Sequence, residues 1–302
     1  MNKAIDKVNH SRRHILLGAG VSAALMGLGA LPSRPVLAQG LVLNKDPDLL
    51  RACMKMRFSL GPEMSIGWVR AKRFAVSQGR IEPVCGFVAA TFSRLHQVSD
   101  KEFEVVAMEI THYTDFETGE LLDTLVMPFS NKKVKVPPYR FGPFKTRFAV
   151  NLDEKETFAP AANTNENEFA PASEVSMTKS IEVGKVDNGD LFLRHEEYGR
   201  VYPSDAKLPS MFYKESTIWS SRLAEVLDPK RSKVNSTVAY SAMTSWRPWM
   251  DMGDLPGHTS SNGFGRRANS VADLPEDFLQ YTRKIHPDVV ADPKAILDSI
   301  AV

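Results

Sequence analysis

"FEVVAMEITHYTDFETGELLDTLVMPF", Phe103 to Phe129, decides the fold. Its first half alternates, with Val106, Met108, Ile110 and His112 on one side of an extended chain, and a period of two is the mark of a strand. "DFETGE" (Asp115 to Glu120) then reads as a turn in which Gly119 supplies a positive φ. "LLDTLVMPF" is expected to pair back and complete a hairpin. A strand that returns at once through a tight turn makes an antiparallel neighbour, because a parallel one needs a long crossover.

The same pattern spreads outward. Upstream, "RACMKMRFSL" (Arg51 to Leu60) alternates Ala52, Met54, Met56, Phe58 and Leu60 against Cys53, Lys55, Arg57 and Ser59, and reads as a first strand before a "GPE" turn. "SIGWVRAKRFAV" follows, with Trp68, Arg70, Lys72 and Phe74 on one face, then the β-branched and aromatic "PVCGFVAATFSRL". Downstream, "SNKKVKV" gives a turn and a short strand. Residues 158–174, rich in Ala, Asn and Pro, read as an irregular surface insertion. Asn188-Gly189 separates two further strands as a hairpin turn, and "VNSTVAYSAMTSW" is another alternating segment. "SSRLAEVLDP" is a short helix stopped by Pro229, and "GFGRRANS" (Gly263 to Ser270) is a loop, since it lacks the strand–glycine loop–helix order that cradles a nucleotide. Asp273 and Pro275 open a C-terminal helix over "EDFLQYTRKI", and "DPKAILDSIA" forms a second. Eight to ten strands in hairpin order with late helices predict a mainly β fold: an antiparallel meander curled into a barrel-like, lipocalin-like body with C-terminal helices. A barrel of this size holds one small ligand.

The N-terminus carries an address. Arg12 and Arg13 stand directly before an apolar run, Ile15 to Leu31, and Val36 and Ala38 have the spacing that a signal peptidase reads. Residues 1–38 are therefore expected to be a twin-arginine signal peptide, cleaved after Ala38, and 39–302 a single mainly β domain. The run is too short and too rich in Gly and Ala for a stable membrane span. The implied partner is the twin-arginine export machinery and the implied location periplasmic or secreted. Export of folded chains suits proteins loaded with a cofactor before transport, but the sequence identifies no cofactor. Without the leader, 33 basic and 35 acidic residues remain, a formal charge of −2, so no basic domain argues for nucleic acid. Cys53 and Cys85, the two cysteines, either bridge or stay as separate buried thiols.

Candidate site residues follow from side-chain chemistry. "TSWRPWMDMGDLPGH" gathers Trp246 and Trp249, either the aromatic wall of a pocket or a plug closing one barrel end. Trp68 offers another ring, and Arg70 on the same face suits a carboxylate or phenolate. His112 is the natural general base near neutral pH if it faces a pocket; Tyr113 then points the other way. His195 and His258 complete a binding set, and the three histidines define an alternative, a histidine-bound metalloenzyme. No specific metal-ligand motif, nucleophile elbow or phosphate loop is present.

Two segments resemble a known family. Asp115, Glu117, Thr118, Gly119 and Glu120 form an Asp-x-Glu-Thr-Gly-Glu turn, and Trp246, Pro248, Trp249, Met250, Met252 and Gly253 form a Trp-x-Pro-Trp-Met-x-Met-Gly segment. Together they are similar to an uncharacterised bacterial domain-of-unknown-function family, many of whose members have twin-arginine leaders. The chain departs from that pattern at "MPFSNKK" and "PPYRFGP", where an Asn-Pro-x-Thr-Gly turn and a His- and Asn-containing strand are expected. The resemblance implies a fold and a compartment and no activity. The expected role is that of an exported protein binding a small hydrophobic or aromatic molecule in a β-barrel pocket, with room for cofactor-free acid–base chemistry. A structural or partner-binding envelope protein with a filled barrel is the remaining alternative.

Overall fold

The computed structural model describes residues 46–149, 156–158, 172–203 and 210–300. The expected leader and most of the 158–174 insertion lie outside these residues. The described chain begins with helix α1 (Asp46–Arg57). Strands β1 (Ser65–Ser77), β2 (Arg80–Ser99) and β3 (Glu102–Thr114) follow, then the short β4 (Thr124–Val126) and β5 (Lys133–Lys135) and the longer β6 (Tyr139–Ala149). Next come β7 (Glu156–Phe158), β8 (Ala172–Asp187), β9 (Asp190–Pro203), β10 (Met211–Arg222), the one-turn helix α2 (Leu223–Leu227), β11 (Thr237–Thr244) and β12 (His258–Ala268). Helices α3 (Glu276–Ile285), α4 (Pro287–Ala291) and α5 (Pro293–Asp298) close the chain.

Ten strands form one antiparallel sheet in the order β6-β3-β2-β1-β12-β11-β10-β9-β8-β7, curled into a half-barrel. Strands consecutive in sequence are neighbours along most of this order. Gln78-Gly79 and Asn188-Gly189 each have two positive φ values and join β1 to β2 and β8 to β9 as two-residue hairpins. β12 then returns to pair along β1, from Ile66↔Ala268 to Val76↔His258, and so seams the two meanders together. Across the open side, the buried Lys179 of β8 donates to Thr146 Oγ1 and to the Arg147 carbonyl of β6.

The convex face of β1–β3 is covered. Ile66, Val88, Ala90, Phe92, Val106, Met108 and Ile110 pack against Leu274, Phe278, Leu279, Val289 and Leu297 of the C-terminal segment. Ion pairs pin this layer to the sheet: Arg70–Asp277 at 2.7 Å, Arg140–Asp288 at 2.7 Å, and Arg94–Asp298. Among the described residues no helix is long and apolar enough to cross a membrane.

Three local expectations are corrected. Arg51 to Leu60 is not a strand: Arg51 to Arg57 belong to α1, where Leu50, Ala52, Cys53, Met54, Lys55 and Met56 are all buried. A helix buried on nearly every side has no polar stripe, so its period is lost and a short apolar run reads equally as β. Lys55 is tolerated there because its Nζ donates to the Val226 carbonyl at 2.9 Å and to the Asp228 carbonyl. "GFGRRANS" is not a loop, since Gly263 to Ala268 are the end of β12. Its Arg267 is buried and donates to Lys55 O at 3.1 Å, Phe58 O at 2.5 Å and Ser65 Oγ at 3.2 Å, tying the end of α1 to the sheet. Finally, "LLDTLVMPF" returns to β3 through one bridge, Thr114↔Leu121, and then pairs with β5 instead. Cys53 and Cys85 are not bridged to each other and are buried thiols in two different core clusters, with burial pushing Cys53 up to about 11.

Candidate functional site

Alternate residues of each strand point into the curl, and the register shows what they bring. One cross-strand row runs Glu197–Glu215–Ala242–Ser261–Arg73 from β9 to β1. The next runs His195–Thr217–Tyr240–Gly263–Ala71–Phe87–Tyr113 from β9 to β3. Large and charged groups thus enter from the flanking strands, while the middle of β12 presents Ser261, Gly263 and Gly265 between Thr259 and Arg267. The result is a cavity of about 300 Å³ within the half-barrel, at the small end of ligand pockets.

Its two ends are closed differently. Arg57 and Phe58 at the end of α1 form one end, with Phe58 edge-on to Phe148 at 5.8 Å between ring centres. The other is closed by the β4–β5 hairpin and the Trp246–Met252 segment, where Met127, Val134, Met250 and Met252 are buried. Phe87, Tyr113, Phe141, Phe148, Trp219 and Tyr240 supply rings to the wall.

Polar groups in the wall are paired in sequence-distant sets. Arg57 Nη1 lies 2.7 Å from His195 Nδ1. A guanidinium only donates, so Nδ1 accepts and Nε2 carries the imidazole proton. Burial, then the Arg57 and Lys179 charges, hold His195 well below its ordinary value, so the ring stays neutral. Its Nε2 is buried without a hydrogen-bond partner and faces Glu197 Oε1 at 3.6 Å. Glu197 stands directly across from Glu215, whose Oε2 accepts from the Tyr213 hydroxyl. Burial and then the Glu197 charge push Glu215 up to about 8, and the Tyr213 bond opposes them. On the other side, the buried Arg73 donates from Nη1 to Tyr113 Oη at 3.3 Å and lies over the Phe87 and Tyr113 rings.

The expected site residues divide. His195 lies on the concave face beside the cavity. His112 lies on the convex face, 2% exposed, with Nε2 bonded to Thr282 Oγ1 at 2.8 Å and its ring among Phe278, Tyr281 and His286. The Thr282 hydroxyl donates to the Phe278 carbonyl, so His112 Nε2 is a donor. Burial and the neighbouring His286 lower His112 to about 4. The structure gives His112 a helix-docking contact and keeps it out of the cavity. Arg70 is taken by Asp277 through bonds of 2.8 and 2.7 Å. Trp68 borders the cavity, but its ring packs in the cluster beneath the C-terminal helices. Trp249 stands one layer behind the wall, 5.5 Å from Tyr113, and Trp246 Nε1 donates to Leu255 O at 2.8 Å. The tryptophan segment is thus the plug rather than the wall. His258, half-buried at the start of β12, contacts Phe212 at 6.2 Å. The three histidines do not converge, and among the described residues no three His, Cys, Asp or Glu side chains group in a way that would hold a metal.

The two motif segments have structural explanations. Asp115 Oδ1 accepts from the amides of Glu117 and Thr118 at 2.9 and 2.8 Å, Gly119 has φ 76°, and Tyr281 of α3 donates to the Gly119 carbonyl. Pro248–Met250 is a 3₁₀ turn ended by left-handed Asp251.

Of the charged groups that line the cavity, Arg73, Glu109, Glu197, Glu215 and Arg247 were not singled out by sequence reasoning, nor was the neighbouring Tyr213. The one local signal is "YKESTIW", where Tyr213, Glu215, Thr217 and Trp219 share a strand face. In comparisons with known proteins, the family model DUF1838, described as a protein of unknown function, matches residues 64–301. No match was found among curated proteins.

Proposed function

Since the chain belongs to the DUF1838 family, whose description assigns no activity, its role rests on its own geometry, and we propose that it binds one small hydrophobic or aromatic molecule inside the half-barrel. The observation that carries this reading is the ring-lined space of about 300 Å³ at the centre of the fold. Apolar walls with a few fixed polar groups are the ordinary composition of a ligand site. Gly67 offers a direct test. A Cβ added there meets only the edge of the Trp219 ring, at 3.9 Å, so a longer side chain grows into the cavity without disturbing backbone. In a thermal-shift screen against phenols, aryl ketones and hydrophobic acids, a ligand at a hundredfold excess over its Kd is expected to add about 2.7 kcal/mol. Gly67→Leu is expected to fold normally and lose that shift. A shift that survives in Gly67→Leu places the ligand elsewhere, and a screen with no shift at all overturns the reading.

We also propose that residues 1–38 direct the folded chain through the twin-arginine machinery to the periplasm. Support comes from the order of Arg12-Arg13, the apolar run and Ala38. Replacing both arginines by lysine is expected to leave uncleaved protein in the cytoplasmic fraction. Undiminished mature protein in the periplasmic fraction would overturn this assignment.

A further inference from the structure

We propose that Glu197 and Glu215 act as an acid–base pair that moves a proton on a neutral aromatic molecule with an enolisable carbonyl group. This inference rests on the pocket reading above and goes beyond it in naming the chemistry. The two carboxyl groups project into the cavity from directly opposed positions on β9 and β10. Cross-strand Cβ atoms lie about 5 Å apart, and two carboxyl groups carried on such neighbouring positions in a half-buried, ring-lined cavity favour keeping one proton between them over carrying two charges. The pair therefore presents one donor and one acceptor side by side.

Each member is oriented by its own partner. Tyr213 bonds Glu215. His195 Nε2, which has no other partner and is 1% exposed, faces Glu197, and Arg57 fixes its ring from behind. Other charged or titratable groups facing the pair come from every side: Arg57 from α1, Arg73 from β1, Glu109 from β3, Lys179 from β8, Tyr240 from β11 and Arg247 from the segment after β11. A cationic ligand meets the arginines and an anionic one meets Glu109 and Glu197, so the cavity favours an uncharged guest. The rings of Tyr240, Phe87 and Trp219 suit an aromatic one.

The step balances without a further reactant. The Glu197 carboxylate takes a proton from the carbon beside the carbonyl, and that C–H bond breaks. Its electron pair forms the C=C bond, and the carbonyl oxygen takes the proton of Glu215. The enol is formed, nothing is oxidised or reduced, and proton exchange between the adjacent carboxyls resets the pair. General acid–base catalysis of this kind is worth about 10²–10⁴-fold.

The test uses 2-tetralone, a neutral bicyclic ketone, with the purified protein in deuterium oxide. Binding is read by thermal shift and loss of the α-hydrogens by NMR. Wild type is expected to accelerate exchange, and Glu197→Gln and Glu215→Gln to slow it by about a hundredfold while the ketone still raises Tm. Exchange at the buffer rate with the ketone bound, or undiminished exchange in both variants, overturns the acid–base pair and leaves the pocket standing. A ketone that neither shifts Tm nor exchanges overturns the assignment of such ketones to the pair, and the pocket reading is then decided by the thermal-shift screen above.

Discussion

Gly265→Ala is expected to cost more than about 4 kcal/mol and to leave little folded protein. A Cβ built on Gly265 would lie 1.8 Å from the Trp68 carbonyl oxygen and 2.8 Å from its carbon. Both are backbone atoms of β1 and cannot swing aside, so β12 must move off β1. Gly263 is equally constrained, its Cβ falling 2.2 Å from the Arg70 carbonyl oxygen. The β1–β12 ladder joins the two meanders, so displacing it separates the walls of the cavity. Glycine in a strand ordinarily marks a close backbone approach or a sharp bend, and alanine elsewhere tends to stabilise by restricting the unfolded chain. Gly67→Ala, which meets only a ring edge, is the matched control and is expected to be neutral or slightly stabilising. Urea unfolding of the two variants decides the matter. Equal midpoints would mean that the seam has slack that its close contacts do not show.

The hairpin order was legible because its signals are local. The alternation of Phe103–Thr114 and the Asn188-Gly189 pair are each contained in a short stretch of sequence, and both became what they predict. The C-terminal helix was legible in the same way, with Pro275 at its start and Glu276–Ile285 helical, although Asp273 belongs to the 3₁₀ turn before it and does not cap it. The cavity was not. β3 is buried on both faces, one against the C-terminal helices and one toward the curl, so alternation separates His112 from Tyr113 without telling which faces the space. β10 poses the same problem: Tyr213, Glu215, Thr217 and Trp219 oppose Phe212, Lys214, Ser216 and Ile218, and both faces mix apolar with polar residues. The Glu197–Glu215 pair depends on cross-strand register, which no single segment encodes. α1 was missed for a related reason, since its environment is decided by the far strands it stoppers, Leu191, Leu193, Trp219 and Val238 among its neighbours.

Glu215 also has a consequence for stability, and its sign can be worked out. Its folded-state value is raised to about 8 by burial and by Glu197, whereas in an unfolded chain it titrates near the ordinary 4.5. Below that lower value the group is protonated in both states and contributes nothing. Between the two values the unfolded chain releases a proton that the folded chain keeps, so wild type loses stability as pH rises, by at most about 1.4 kcal/mol per pH unit. Above the upper value the loss is complete and constant. Glu215→Gln removes this ionisation while its amide oxygen still accepts from Tyr213. Relative to wild type, the variant is therefore expected to gain on the order of 3 kcal/mol between pH 5 and pH 8, and at about 2–4 °C per kcal/mol that is a Tm difference easily read by calorimetry. The charged groups that face it, Arg57, Arg73, Glu109, Lys179, Glu197 and Arg247, are retained in both proteins. A Tm difference that stays flat or closes across this interval would show Glu215 already ionised at neutral pH, and the cavity would then hold two carboxylates where a shared proton is required.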